Sequence, residues 1–556
     1  MLIDYSWTLR DANQPKHIGE EAYMQLRSQA HARSAQRLLE LFQANGGIYI
    51  KLGQHIAALV YLLPNEYCDT MRVLQNECPP TSLRDIEALF ESDMGVGMAD
   101  LFEAFDPEPL GVASLAQVHR ATLSGSVLQH GLRLHRGVAG AGGSSSAAAA
   151  GVDSGAVAAA AAASAVGDGA AAAPRAPAAE RRRVAVKIQH PSLDQHAAID
   201  IQSCAFFVRL VKRLFPAFEF EWLASELQSS LPQELDFRLE AANAERVRAN
   251  FANSQLMRIP EIVWADRRIL VMEYVEGGKI DDPEYMQKHG ISPEAVSADL
   301  TKAYSEMIFR HGFVHCDPHP GNVFVRPCRD RRPWWQFGLV GLPKNYEIVL
   351  LDHGLYRTLS DAFRLDYAHF WDALIRANEP DIEHYAYRLF LHDERVSANG
   401  VEHHRLFASM VSGRSWEAIT MANGEGLTYA RTDSEVNQVK KNAQMDRFLI
   451  AIADILAKLP RELLLLLKTN DLLRAIDSSL GVSSGRRHLV RMVSMMGWYC
   501  ADAICRETVS ALSRQHDELR RLGDLVVWPL WTYRAVWEAW LRFLGMTLRL
   551  SVLRLV

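Results

Sequence analysis

The chain lacks most of the features that would assign it quickly to a disulfide, membrane or nucleic-acid class. Its seven cysteines, Cys68, Cys78, Cys204, Cys316, Cys328, Cys500 and Cys505, are odd in number and form no Cys-x-x-Cys pair. That predicts reduced, structural thiols rather than a disulfide framework or a zinc site. No run of about 18 consecutive apolar residues occurs, so no membrane span is expected. The formal charge of -6 is spread over many acids and bases with no long basic stripe, which argues against nucleic acid as the main partner. The segment Met1 to Arg10 carries Asp4 and has neither a long apolar run nor an acid-free Arg/Ser-rich stretch, so no signal or transit peptide is expected in it.

What is present is a long, half-hydrophobic chain: 556 residues with 49% hydrophobic content, enough for two or more packed domains. Residues His31 to Ala58 carry a helical apolar pattern broken at Gly46-Gly47, and Pro64 to Phe105 continue as helix. The period then changes, and Phe105 to Ala121 and Arg183 to Gln189 read as strands rich in Val and Ala. Between them, from about 129 to 182, lies a tract of Ala, Gly and Ser, including Ser144 to Ala150 and the run Ala158 to Ala163. It has almost no large apolar side chain to offset the entropy of ordering and reads as a disordered surface insertion, with a transient helix as the alternative. Further on, Ile199 to Asn250 reads as helix, Arg268 to Val275 as a buried strand and Ser297 to Gly312 as helix. Val323 to Val325 and Glu347 to Leu351 read as a hairpin, and helix follows Ser360, including Leu459 to Ile476.

Four residues in chain order carry chemistry. Phosphoryl transfer needs a lysine on the nucleotide phosphates, an Asn and an Asp on the metal, and an Asp near the attacking oxygen. Val184-Ala-Val-Lys187 matches the kinase lysine strand, although any apolar strand ending in lysine would match it alone. His315-Cys-Asp317 followed five positions later by Asn322 keeps the kinase spacing of base to metal ligand. Asp352, in Leu350-Leu-Asp-His-Gly354, stands where a second metal ligand is expected, with His353 in place of the usual Phe. Asp317 and Lys187 are thus the candidate catalytic residues, and Asn322 and Asp352 the candidate ligands of Mg²⁺ or Mn²⁺. His315 and His319 offer too few imidazoles for zinc, and oxygen donors suit magnesium better. No Gly-x-Gly-x-x-Gly precedes the lysine strand and no Ala-Pro-Glu follows Asp352, so the glycine loop and activation segment of a conventional protein kinase are missing.

With these motifs the chain resembles the UbiB family of atypical kinase-like proteins, which assist coenzyme Q biology, and within it the mitochondrial subgroup of aarF-domain-containing kinases. The resemblance rests also on Lys51-Leu-Gly-Gln54, Ala113-Ser-Leu-Ala116 and Glu234-Leu-Asp236. It implies an α+β, two-lobed protein-kinase-like fold with added N- and C-terminal helical segments. Residues 1–95 would be the helical extension with Lys51 and Gln54, 96–280 the N-lobe with its insertion, and 281–556 a helical C-lobe ending in a further extension. The resemblance implies that Lys51 and Gln54 cover the site near Glu234 and Asp236, and that Ala113, Ser114 and Ala116 replace the glycine loop. It further implies that Lys187 and the backbone of Glu273 to Val275 meet an adenine nucleotide, ATP or ADP. The implied output is ATPase or small-molecule or lipid phosphotransfer in a mitochondrion, or alternatively a plastid; a nucleotide-binding scaffold is the other reading. Trans protein-kinase activity is doubtful. Lys187 is expected to pair with Glu226 or Glu234. The C-terminal stretch, with Trp528, Trp531, Trp537 and Trp540 beside Arg534, Glu538, Arg542 and Arg549, could lie on a membrane surface with a lipid or isoprenoid partner, or dock on its own domain.

Overall fold

A computed structural model gives the fold. It describes residues 2–8, 15–58, 64–75, 80–125, 183–214, 221–328, 344–391, 402–420, 459–482, 486–521 and 540–548, with a few isolated residues between them. The Ala/Gly/Ser insertion expected at about 129–182, and Trp528, Trp531 and Arg549, lie outside the described residues.

After two short helical pieces, Leu2–Thr8 and Pro15–Ile18, come the longer helices α1 (Glu20–Asn45) and α2 (Gly47–Ala58), separated at Gly46, which has φ 70 and caps α1 by donating its N–H to Phe42 O at 2.9 Å. The helix α3 (Leu83–Met94) starts at the N-cap Ser82, whose side chain accepts from the Asp85 N–H, and ends at Gly95 in the left-handed region. Strand β1 (Phe102–Val112) begins earlier than the apolar pattern suggests, so the expected helix through Phe105 stops at Leu101. The strands β2 (Ala116–Leu123) and β3 (Arg183–Gln189) follow, then a helical hairpin α4 (Pro191–Leu214) and α5 (Glu221–Glu234), and then α6 (Phe237–Asn250). The strands β4 (Ile262–Ala265) and β5 (Ile269–Glu273) complete an antiparallel five-stranded sheet of order β1-β2-β3-β5-β4.

Alternation along β3 decides which side chains meet which helix. Val184, Val186 and Ile188 join Ile86, Leu89 and Phe90 of α3 in one core on one face of the sheet. Lys187, one residue out of step with Val186 and Ile188, sits in register with Leu270, which packs with Phe237 and Ala241 of α6 on the opposite face. A third core joins α1 and α2 to α4 and α5 and includes Leu115 of the β1–β2 turn. The N-terminal helices are therefore packed onto the hairpin and the turn rather than trailing from the lobe.

The second lobe is mainly helical. After β6 (Gly278–Lys279), helix α7 (Pro293–Glu306) has Ser292 as N-cap and Pro293 in its first turn, and runs into a wider turn, Met307–His311. Gly312, with φ 57, ends that turn; a Cβ there would lie 3.2 Å from the Leu359 carbonyl oxygen, so glycine is required where the chain bends into β7 (Phe313–His315). The strands β8 (Val323–Pro327) and β9 (Tyr346–Leu350) pair antiparallel as expected, β6 extends that sheet, and β10 (Tyr356–Thr358) pairs with β7. The helices α8 (Asp361–Arg376), α9 (Arg461–Ser479) and α10 (Arg486–Arg521) supply the large C-lobe core with α7. Among the described residues no helix is long and apolar enough to cross a membrane.

The described part of the C-terminal stretch docks on its own lobe along one side: Trp498 Nε1 of α10 donates to Thr547 Oγ1 at 3.0 Å, and the rings of Trp498 and Phe543 lie 5.5 Å apart. Trp537, Trp540, Leu541, Leu544 and Leu548 remain exposed.

Candidate functional site

The site lies where the two lobes meet. Because Lys187 points to the α6 face of the sheet, its ammonium reaches Glu240 Oε1 at 2.8 Å and Oε2 at 2.9 Å, and also Asp352 Oδ2 at 2.7 Å. The partner of Lys187 is therefore neither Glu226 nor Glu234, and the expectation is corrected for a geometric reason. The helical run expected from Ile199 to Asn250 is broken after Glu234, and α6 restarts at Asp236, which caps it. The new helix presents Phe237, Glu240, Ala241, Ala244 and Val247 as its buried face. Glu240 is the charged member of that stripe, and this was the signal available in the sequence.

Asp352 is held from both sides. Its Oδ1 accepts the Gly354 N–H at 2.8 Å while Oδ2 takes Lys187. Burial raises its carboxyl pKa, but Lys187 and the Gly354 N–H outweigh that and hold it below the usual carboxylate range. Burial acts in the same direction on Glu240, but there it prevails: desolvation of a carboxyl that is 4% exposed, with the nearby Asp352 charge adding to it, outweighs Lys187 and pushes the group up to about 7. His353 lies in the core: its ring stacks on Tyr356, Nδ1 meets the Tyr356 hydroxyl at 2.8 Å, and Nε2 meets the Leu350 carbonyl at 3.2 Å. Those contacts suit a neutral ring that accepts at Nδ1 and donates at Nε2, and burial lowers its pKa to about 3.

The loop from His315 to Asn322 is braced by its own backbone. Asn322 N–H donates to His319 O at 2.8 Å, the Asn322 amide donates to Asp317 O at 3.2 Å, and Leu351 N–H donates to Asn322 O at 2.9 Å. This last bond sets Asn322 beside the strand end that carries Asp352. His315 is fully buried, bonded through Nδ1 to the Tyr304 hydroxyl at 2.8 Å, and burial lowers its pKa to about 4. His319 accepts from the Gly321 N–H at 3.0 Å and shapes the turn.

Asp317 meets a residue that no motif announced. Its Oδ1 lies 3.0 Å from the Nζ of Lys468, in the middle of α9. Burial raises the Asp317 carboxyl pKa, but Lys468, then His319 and Lys51, outweigh it and hold the group well below its ordinary value. Lys468 follows the run Leu463 to Leu467 in the sequence, and the interruption of that run was the available signal.

The remaining expected residues divide into those at the site and those with other tasks. Lys51 of α2 forms an ion pair of 2.6 Å with Glu234 at the end of α5, and its charge is sustained against burial by Glu234 and, farther off, by Asp317 and Asp352. Glu234 also packs beside the turn after Asp352, since a Cβ on Gly354 would lie 4.0 Å from its Cγ. Gln54 donates to the Leu74 carbonyl at 2.9 Å, and Gly53 is needed for close packing, because a Cβ there would come within 2.2 Å of Leu74 Cδ1. Asp236 accepts the Arg238 N–H at 3.1 Å and forks onto the Arg238 guanidinium at 2.9 and 2.7 Å, so its side chain caps α6. The Glu273 carboxylate pairs with Arg258 at 2.6 Å, and Val275 is buried at the end of the same strand.

The turn Ala113–Ala116 is drawn tight by the Ala113 N–H to Ala116 O bond of 2.8 Å, with Ser114 and Ala116 buried. His190 clamps it, bonding Ala113 O through Nε2 at 2.9 Å and Thr81 Oγ1 through Nδ1 at 2.6 Å.

Among the described residues no group of three or more His, Cys, Asp or Glu forms a metal cluster. Asn322 and Asp352 nonetheless fit magnesium. Both offer hard oxygens, the amide nitrogen of Asn322 is already spent on Asp317 O, which leaves its carbonyl oxygen free, and a nucleotide-bound Mg²⁺ typically uses only one or two carboxylates.

A two-lobed fold with a lysine held between an α6 glutamate and a strand-end aspartate, and no glycine loop, defines an atypical kinase-like protein. The model of the ABC1 atypical kinase-like domain matches residues 73–127 and 160–386, and the chain belongs to that family. It is 40% identical over 475 residues to AarF domain-containing protein kinase 1 of Xenopus laevis, covering 84% of this chain and 75% of that protein. The mouse protein of that name, from Mus musculus, is 39% identical over 491 residues, covering 88% and 77%. The ABC1 family protein MCP2 homolog of Schizosaccharomyces pombe is 36% identical over 502 residues, covering 89% and 76%.

Proposed function

We propose that the chain binds ATP or ADP with Mg²⁺ or Mn²⁺ and acts as an ATPase or a small-molecule or lipid phosphotransferase in support of membrane lipid or quinone homeostasis. The observation that carries this reading is the Lys187 ammonium fixed between Glu240 and Asp352. A lysine so held is positioned for nucleotide phosphates, and Asp352 with Asn322 would hold the metal that neutralises them. Asp317 stays ionised beside Lys468 and would orient or deprotonate the attacking oxygen. The Lys51–Glu234 pair lies close to Gly354, and the family resemblance implies that the helix of Lys51 covers the place of a protein substrate, which favours water or a small acceptor. The exposed Trp537, Trp540, Leu541, Leu544 and Leu548 favour peripheral contact with a lipid surface, and the family resemblance favours a mitochondrion over a plastid.

Thermal shift with Mg²⁺ and ATP, followed by phosphate release in the presence of lipid vesicles, tests the reading. Release no greater than that of Asp317→Asn would remove the enzymatic part and leave the scaffold reading, which the tethering of Asp317 by Lys468 favours. In that case Asp317→Asn retains function in cells while Lys187→Ala loses it. Absence of any Mg-nucleotide shift would remove both.

A further inference from the structure

Each of the three lysines in the cleft faces at least one carboxylate, but they are not equivalent. Lys187 is saturated by Glu240 and Asp352, and Lys51 pairs with Glu234, whose side chain is 7% exposed. Lys468 differs. Among the described residues it has one carboxylate partner, Asp317 Oδ1, as Lys51 has one in Glu234, but here both side chains are open to solvent, at 21% and 22%, where Glu234 is closed, and an ammonium carries three donors. Two of those donors are therefore left over beside Asp317, the carboxylate proposed above to act on the attacking oxygen.

Its position is built. Helix α9 is fastened along its length: Arg461 donates to Ser229 of α5 at 3.0 Å, Asn470 donates to the Tyr367 hydroxyl at 3.3 Å, and Asp477 accepts from Ser297 of α7 at 2.5 Å. Leu463, Leu466 and Thr469 on its inner side are essentially fully buried. A helix anchored to α5, α7 and α8 holds Lys468 at a set distance from Asp317, and the residue is separated from that loop by 151 positions in sequence.

We infer that Lys468 is a second phosphate-binding cation of the site, supplied by α9 to the terminal phosphoryl group of the nucleotide on the side of Asp317, opposite Lys187. Resting on the nucleotide-binding reading above, it names the group that reads the terminal phosphate. In phosphoryl transfer the charge spreads over the equatorial oxygens, and a cation brought in by a distant element of the same chain can stabilise it. In this structure the ammonium rests on Asp317. With a triphosphate in place it bridges Asp317 and a terminal oxygen, using donors that the resting contact leaves over.

The test compares full-length wild type, Lys468→Met and Lys468→Arg for binding of Mg-ATP and Mg-ADP by calorimetry, with thermal unfolding of the unliganded proteins as a folding control. The expected result is that Lys468→Met loses about tenfold or more in ATP affinity, keeps ADP affinity within about twofold, and that Lys468→Arg recovers most of the loss. Equal loss for ATP and ADP, or no loss for either, in a folded variant overturns the inference while leaving nucleotide binding intact. Faster phosphate release by Lys468→Met also overturns it, since Lys468 would then be a brake on Asp317. If wild type binds neither nucleotide, the nucleotide-binding reading itself fails and this inference falls with it.

Discussion

Replacing Lys51 by Met is expected to destabilise the chain far more than a partly exposed lysine ordinarily would. At 2.6 Å and an effective dielectric constant of about 20, the Lys51–Glu234 attraction is worth about 6 kcal/mol before costs. Side-chain exposures of 18% and 7% mean that both ions have lost most of their water, and several kcal/mol per ion offset the attraction. The pair as a whole is therefore close to break-even. Removing one member is not, because Glu234 would be left buried with neither oxygen paired; among the described residues its Oε1 already lacks a hydrogen-bond partner. Lys51→Met should cost about 3–5 kcal/mol, Glu234→Gln less, and the double variant should recover about 2–3 kcal/mol of the summed loss. Urea midpoints of the four proteins at pH 7.5 without nucleotide measure this. Additivity within about 0.5 kcal/mol would refute the coupling and make Lys51 an ordinary helix residue.

Glu240→Gln should keep the fold but lose most of the Mg-ATP thermal stabilisation, which at a ligand concentration about 100 times Kd amounts to about 2.7 kcal/mol, because Lys187 is then steered by Asp352 alone. Asp236→Ala should cost about 1 kcal/mol through loss of the α6 cap and leave the ATP shift in place; loss of nucleotide binding in this variant would return Asp236 to the site. Gly53→Ala should cost about 1–3 kcal/mol by driving α2 off Leu74 and Phe42, read as a lower melting temperature and faster proteolysis near Lys51. In metal-free buffer, stability should fall as pH drops from about 6.5 toward 4 and be fully present above that range. The unfolded chain protonates His315 and His353 near pH 6.5 whereas the fold holds them neutral down to about 4 and about 3, a slope of up to about 1.4 kcal/mol per pH unit for each. His315→Gln should flatten that slope in urea titrations, and an unchanged slope would refute the assignment.

Lys187, Asp317, Asn322 and Asp352 were legible as candidates because phosphoryl-transfer chemistry limits which residue types can stand at those spacings, and strands leave a period-2 trace that places Lys187 opposite Val186 and Ile188. The β8–β9 pairing and the helices of the C-lobe were legible from apolar periodicity. The partner of Lys187 was not, because the expected continuous helix from Ile199 to Asn250 hid the restart at Asp236, and a helix phase cannot be counted across an unrecognised break. Gln54 and Asp236 were grouped with the nucleotide on resemblance, whereas one is bonded to the Leu74 carbonyl and the other caps α6.

By itself the sequence determined the local chemistry: an α+β chain with a lysine strand, a candidate catalytic loop between strands, a strand end carrying a candidate metal ligand, and an alanine-containing turn in place of glycines. Only the tertiary structure decided which charges face one another. Glu240 reaches Lys187, Lys51 reaches Glu234, and Lys468 reaches Asp317 across separations of 53, 183 and 151 positions. Pairing of this kind depends on helix phase and on how helices dock against the sheet and loop, and no local pattern records either.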